Sequence, residues 1–205
     1  MLVSAVQNIW FLLLSICVVA HNENQFEATL GCLQYNAHQG YNFAHPYYST
    51  AVFKHIHKTS QNVTTMRMGV LGKIDCNIRL SPLEYPYDNT EMNEIILSGW
   101  SNTKNAVRRY TRTHPNKYNN EAILKFQGSV GLLSEFKPLM FTMEIHPSGE
   151  LKLTKDDDVK PFFTFQDAKL SFSYIGFCNY EVPLIYFYDC PLEVDLRDCS
   201  GIVLS

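Results

Sequence analysis

The chain has 205 residues, 46% of them hydrophobic and 13% aromatic, which is enough to bury one full core and excludes a disordered chain. Its formal net charge of −3 argues against nucleic acid as a partner.

The first twenty residues carry no charged side chain, and 9–20 (IWFLLLSICVVA) form an apolar run. That run is shorter than the roughly twenty residues a bilayer span requires. It reads as a signal peptide, with Val18 and Ala20 supplying small residues for cleavage before His21, although the usual basic n-region is missing. An uncleaved signal anchor is the alternative. No later segment is long enough to cross a membrane, so the expected localisation is secreted and extracellular, with no membrane span after cleavage. An oxidising compartment follows, and it makes Asn62-Val63-Thr64 a usable N-glycosylation acceptor at Asn62.

Beyond the leader, an extension rich in Asn, Gln, His and Tyr (residues 21–46) starts irregular and then supplies an outer strand. From 47 onward the periodicity is two. Strands are predicted over 49–57, 94–99, 106–113, 122–127, 162–165, 170–177 and 184–188, and a hairpin over 141–153 turning at Pro147-Ser148-Gly149. Over 66–80 the even positions Met68, Val70, Ile74, Cys76, Ile78 and Leu80 are apolar and polar residues alternate with them, as a half-buried strand requires. Segments rich in Pro, Asn, Asp and Gly separate the strands at the spacing of a two-sheet antiparallel β-sandwich of jelly-roll or laminin-G/lectin-like kind. The predicted organisation is a signal peptide (1–20), the extension (21–46), one sandwich domain (47–191) and a C-terminal tail (192–205). GLLSEF at 131–136 is at most one helical turn.

Removing Cys17 with the leader leaves Cys32, Cys76, Cys178, Cys190 and Cys199, an odd number, so at least one is unpaired or intermolecular. Two pairs from five thiols allow about fifteen arrangements. Local spacing suggests Cys190 with Cys199 and Cys32 with Cys178, leaving Cys76 as a buried thiol on an apolar strand face. A free thiol also leaves a covalent dimer open, and the oligomeric state is not set by the sequence.

No acidic residue lies between Glu94 and Glu121, and that interval holds Lys104, Arg108, Arg109, Arg112 and Lys117. On a strand, Arg108, Tyr110 and Arg112 share one face while Val107 and Arg109 take the other. Such a row either binds sulfate, carboxylate or phosphate through forked donors or is a solvated face. His55-x-His57 supplies two imidazoles where zinc wants further ligands, and Asp156-Asp157-Asp158 lacks the spacing of a calcium loop, so no metal is expected. Nor is a cofactor. The Gly pairs at Gly69/Gly72 and Gly128/Gly131 lack the strand-loop-helix unit that cradles a nucleotide, and no catalytic spacing of Ser, His or Glu is present.

The stretch EIILSGWSNTKNAVRRYTR, with IRLS at 78–81 before it and FTMEIHPSGELKL, PFFTFQD and SYIGF after it in order, resembles the domain called farnesoic acid O-methyltransferase in insects and crustaceans. The resemblance covers residues 47–191. Two departures stand out. Met140-Phe141 replaces a Phe-Trp pair, and the terminal aromatic segment lacks its Trp and carries Cys190. The family name implies methyl transfer from S-adenosylmethionine to farnesoic acid, on the way to juvenile-hormone-type esters. An all-β chain leaving the cell does not fit the α/β fold or the intracellular donor which that reaction uses. The resemblance also extends to modules of secreted α2-macroglobulin-like proteins, which points to recognition. The expected function is a secreted, non-catalytic module binding an extracellular glycan or anionic surface, with Trp100, Asn102, Arg108, Tyr110 and Arg112 as ligand residues. Methyltransferase activity and an extracellular protein-interaction or structural role are the alternatives. Trp100 reads either as a stacking face or as a core residue beside a tight Gly turn.

Overall fold

The structure, a computed structural model, describes residues 24–192. The predicted signal peptide, Cys17, Cys199 and the tail beyond Leu192 lie outside the described residues. Two antiparallel sheets face each other. The first is built from β1 (Leu33–Ala37), β3 (His57–Lys58), β4 (Thr64–Leu71), β9 (Leu139–Ile145), β10 (Glu150–Lys155), β11 (Phe163–Gln166) and β13 (Leu184–Cys190). Its order is β1-β13-β4-β9-β10-β11, with β3 paired to the start of β4. The second sheet runs β2-β12-β5-β6-β7-β8. Its strands are β2 (Tyr47–Ser49), β5 (Cys76–Ser81), β6 (Thr90–Ser98), β7 (Lys104–His114), β8 (Lys117–Gly128) and β12 (Tyr174–Cys178).

The alternating apolar residues predicted to point inward do so, except Ile74, which lies half-buried in the corner between β4 and β5 and lines the cavity beside Trp100. Met66, Met68 and Val70 of β4, Phe141, Met143 and Ile145 of β9, and Leu151 and Leu153 of β10 meet Ile78, Leu80, Ile95, Leu97, Val107, Ile175 and Phe177 of the opposite sheet. Each fully buried side chain of this size contributes about 1.5–3 kcal/mol, which makes the interior between the sheets the main source of stability. Phe141 is closed to solvent and Tyr188 stacks on Tyr48, so at the two departures from the family pattern these rings fill core space.

Two predicted strands differ. The segment 66–80 is two strands in opposite sheets, β4 and β5, with a corner at 72–75. The alternation runs unbroken through that corner, so one pattern serves both sheets. Gly72 has φ +155, and a Cβ there would lie 2.1 Å from Leu184 Cδ2, so the corner demands glycine. The segment 49–57 is mostly not strand. β2 ends at Ser49, whose side chain caps a 3-10 turn at Thr50–Val52, and only His57 joins β3. His55 therefore lies on the connecting loop and shares no strand face with His57. The Asp189 carboxylate shapes that loop by accepting the backbone N–H groups of Lys54 and His55 at 2.9 and 2.8 Å.

The cysteine pairing is also corrected. Cys32 is bonded to Cys190, with Cα atoms 4.1 Å apart, because it sits at the head of β1, which pairs with β13 through Leu33 opposite Tyr188. That bond takes Cys190 away from Cys199. Cys178 is unpaired and buried on β12 of the other sheet, so a bridge from it to Cys32 would have to cross the sandwich. Cys76 is unpaired in the core, as its apolar strand face predicts. Burial pushes the Cys178 thiol up to about 12, which leaves it protonated and inert.

Candidate functional site

The middle of the outer face of the second sheet is covered, although its β8 edge is open at Ile123. One row of side chains crosses it from strand to strand: Tyr47, Gly176, Arg79, Glu94, Arg108 and Ile123 are successive cross-strand partners. Glycine at 176 makes room for the Tyr47 ring, whose Cε1 would be 2.8 Å from any Cβ. Over the middle of the row lies the 38–46 segment. It is held by Gly40 N–H donating to Asn179 Oδ1 (2.9 Å), by His45 Nε2 against the Gly40 carbonyl (2.6 Å) and by Arg79 Nη2 donating to the Tyr41 carbonyl (3.1 Å).

Under this cover Arg79, Glu94, Tyr110 and Arg112 are closed to solvent. Glu94 is the hub. Its Oε1 accepts from Arg79 Nε (2.9 Å) and the Tyr110 hydroxyl (3.2 Å), and its Oε2 accepts from Arg108 Nε (2.7 Å) and the Tyr41 hydroxyl (3.1 Å). Burial alone would raise the Glu94 carboxyl, but Arg79 and Arg108 more than reverse it and hold it at about 2. Burial, with Arg79 beside it, lowers His45 to about 4 and keeps its ring neutral. Burial and the Glu94 charge raise the Tyr41 hydroxyl, so it remains a phenol.

Beside this cluster the β6–β7 turn carries Trp100. Gly99 approaches Ile96 so closely that a Cβ would sit 2.9 Å from Ile96 Cγ2. Ser98, Trp100, Ser101 and Asn102 all adopt left-handed φ, between 51° and 62°. Such residues each carry roughly 1–2 kcal/mol of strain. Compensation comes from Ser98 N–H bonded to Asn105 Oδ1, Thr103 Oγ1 bonded to the Trp100 carbonyl, and the Asn102 amide bonded to the Leu133 backbone. The turn projects the indole outward, 50% exposed, edge-on to Phe126. Trp100 is therefore not a core residue.

Trp100, Tyr41, Tyr118 and Tyr180 wall a cavity of about 400 Å³. Its polar lining comes from Asp75, Asn77, Ser101, Arg108 and Glu181. Burial and the Glu181 charge raise the Asp75 carboxyl, against the Trp100 backbone N–H that it accepts. The cavity thus offers ring faces with carboxylate acceptors, an amide and a guanidinium among them.

Of the residues predicted from sequence, Trp100 and Arg108 line the cavity. Tyr110 and Arg112 lie buried beside it, sharing the outer face with Arg108 as the alternation predicts, while Arg109 turns inward to Asp167 at 2.7 Å. Asn102 is not brought there, because its side chain clasps the backbone at Leu133. Tyr41, Asp75, Arg79, Glu94, Tyr118, Tyr180 and Glu181 were not foreseen. Arg79 lies between Ile78 and Leu80 and Glu94 between Asn93 and Ile95, so both alternate as surface charges do and nothing local marks them as covered. Asn62 is exposed in the turn before β4. Among the described residues no group of three or more His, Cys, Asp or Glu is placed to hold a metal, and no helix is long and apolar enough to cross a membrane.

Residues 41–192 match the family described as farnesoic acid O-methyl transferase. The chain belongs to this family. The match begins at Tyr41, so the farnesoic acid O-methyl transferase domain includes Tyr41 of the covering loop and every strand of the sandwich but β1. No curated protein matches the chain. Among solved structures, a native glycosidic hydrolase is similar at 9% identity and TM-score 0.39, over 76% of this chain and 87% of that one. A Bacillus licheniformis beta-glucanase is similar at 12% identity and TM-score 0.39, over 78% and 90%. The TRIM65 PSpry domain is similar at 7% identity and TM-score 0.36, over 71% and 89%. Likeness at this level is loose and says nothing of a shared ligand.

Proposed function

We propose that the protein is a secreted, non-catalytic recognition module whose farnesoic acid O-methyl transferase domain binds an extracellular glycan in the cavity between Tyr41 and Trp100. The observation that carries this reading is the strained left-handed turn that holds Trp100 half exposed beside three tyrosines and a mixed set of hydrogen-bonding groups. Sugar rings present apolar faces to stack on aromatics and hydroxyls that both donate and accept, and this cavity matches both needs. A glycan array probed with the chain starting at His21 tests it, with Trp100→Ala as the control. Selective binding lost in the variant is expected, and binding unchanged in the variant removes Trp100 from the site.

The family description favours a second reading, an S-adenosylmethionine-dependent O-methyltransferase acting on farnesoic acid. Against it stands the architecture of the described residues, which holds no strand, Gly-rich loop and helix in succession to cradle the donor. Calorimetry with S-adenosylmethionine separates the two, and stoichiometric binding would overturn the recognition reading. A protein partner in extracellular fluid is the remaining alternative, which pull-down from that fluid detects.

A further inference from the structure

Three guanidinium groups converge on one ring. The Cζ atoms of Arg79, Arg112 and Arg108 lie 4.7, 4.9 and 5.5 Å from the centroid of Tyr41. Glu94 is the carboxylate that Arg79 and Arg108 share, whereas Arg112 bonds the Pro115 carbonyl and has no ion pair among the described residues, so three positive charges face one negative charge in the cluster. The groups around them do not make up the difference. Tyr41, Tyr110 and Cys178 stay protonated because burial raises each of them, and His45 is neutral at physiological pH.

Donors are left over as well. Arg79 Nη1 and Arg112 Nε and Nη2 are buried without a hydrogen-bond acceptor. Leaving such groups unsatisfied costs free energy, and an aromatic face compensates only in part. Tyr41 is delivered to this focus by a loop that turns at Gly40, with φ +87 and no atom within 4 Å of where a Cβ would stand. The ring occupies the point where a tetrahedral or planar oxyanion would collect charge-assisted bonds from all three arginines.

We propose that Tyr41 is a placeholder for an oxyanion: the well formed by Arg79, Arg108 and Arg112 binds the sulfate of a sulfated glycan when Tyr41 swings aside about Gly40. The inference rests on the glycan reading of the adjoining cavity and adds the chemical class of its ligand. Asp75 and Glu181 lie on the same cavity beside Trp100, where they accept sugar hydroxyls. The acidic substituent enters at the Tyr41 end.

The test is calorimetry with a heparin-derived hexasaccharide, the same hexasaccharide after desulfation, and a hyaluronan hexasaccharide that carries carboxylates only. The chain from His21 is expected to prefer the sulfated sugar. Tyr41→Ala is expected to bind it roughly tenfold tighter, since the placeholder no longer competes, and adding Arg112→Gln is expected to abolish the gain. Tyr41→Phe keeps the ring but loses the hydroxyl bonds to Glu94 and Arg108, and is expected to give a smaller gain of the same sign. It carries the test if Tyr41→Ala does not fold. No gain in whichever variant folds, or an equal gain for the desulfated sugar, overturns the proposal. Preference for hyaluronan over the sulfated sugar reassigns the well to carboxylates and overturns the sulfate assignment. If sulfation makes no difference but a sugar still binds and Trp100→Ala removes it, the anion well fails and the glycan reading stands. If no sugar binds any form of the protein, both fail.

Discussion

Arg79 and Glu94 face each other across β5 and β6, joined by a 2.9 Å bond with both side chains closed to solvent. Charges in that position are held in place by each other, because desolvating either alone costs several kcal/mol. Glu94→Gln should therefore destabilise the fold by about 3–5 kcal/mol, since it leaves Arg79 and Arg108 without their shared counter-charge. Urea denaturation checks this, and a change below about 1 kcal/mol would mean that water reaches the cluster.

Acid should lower the stability of the fold through two pH windows. In the folded state His45 is held at about 4, below its ordinary 6.5, and Glu94 at about 2, below 4.5. Both folded values are depressed, so the unfolded chain binds more protons within each window. The stabilising contribution is fully present above the unfolded value and is lost as pH falls through the folded one. The expected slope is about 1.4 kcal/mol per pH unit from each group, from 6.5 down to 4 for His45 and from 4.5 down to 2 for Glu94. Stability curves of the unmodified chain and His45→Phe should diverge in slope only in the upper window.

Cys32→Ser opens a link between residues 158 positions apart. The expected cost is about 2–5 kcal/mol, seen as a lower denaturant midpoint. Mass spectrometry of a non-reduced digest should recover the Cys32–Cys190 peptide pair, and a Cys32–Cys178 pair would contradict the sheet order.

Ser101→Gly should stabilise the chain by about 1 kcal/mol. Ser101 is exposed with φ 58°, so glycine relieves left-handed strain and forfeits no packing. Thermal melting checks the sign.

Alternation of side chains made the strands, the inward core and the Arg108-Tyr110-Arg112 face legible, because a period of two is a local property of the backbone. It carried no information about which sheet a strand joins, so β4 and β5 read as one strand although the corner at Gly72 sends them to opposite sheets. Nor could it show that the outer face is covered. Arg79 and Glu94 alternate like any surface charges, and their burial depends on Tyr41, His45 and Tyr47, a covering loop and strand that begin more than thirty residues earlier in the chain. The Trp100 turn was visible as a motif, but its left-handed conformation was not, since serine and tryptophan rarely adopt it. That conformation rules out the core reading of Trp100, because it turns the indole outward, and it commits Asn102 to Leu133.

The two tryptophans of the sequence are Trp10 and Trp100, so a chain produced from His21 onward has a single indole. Its fluorescence reports directly on the proposed site. Titration with the sulfated hexasaccharide should shift and saturate the Trp100 emission with the same midpoint that calorimetry gives. Calorimetric binding that leaves the Trp100 emission unchanged would place the ligand elsewhere and contradict the account.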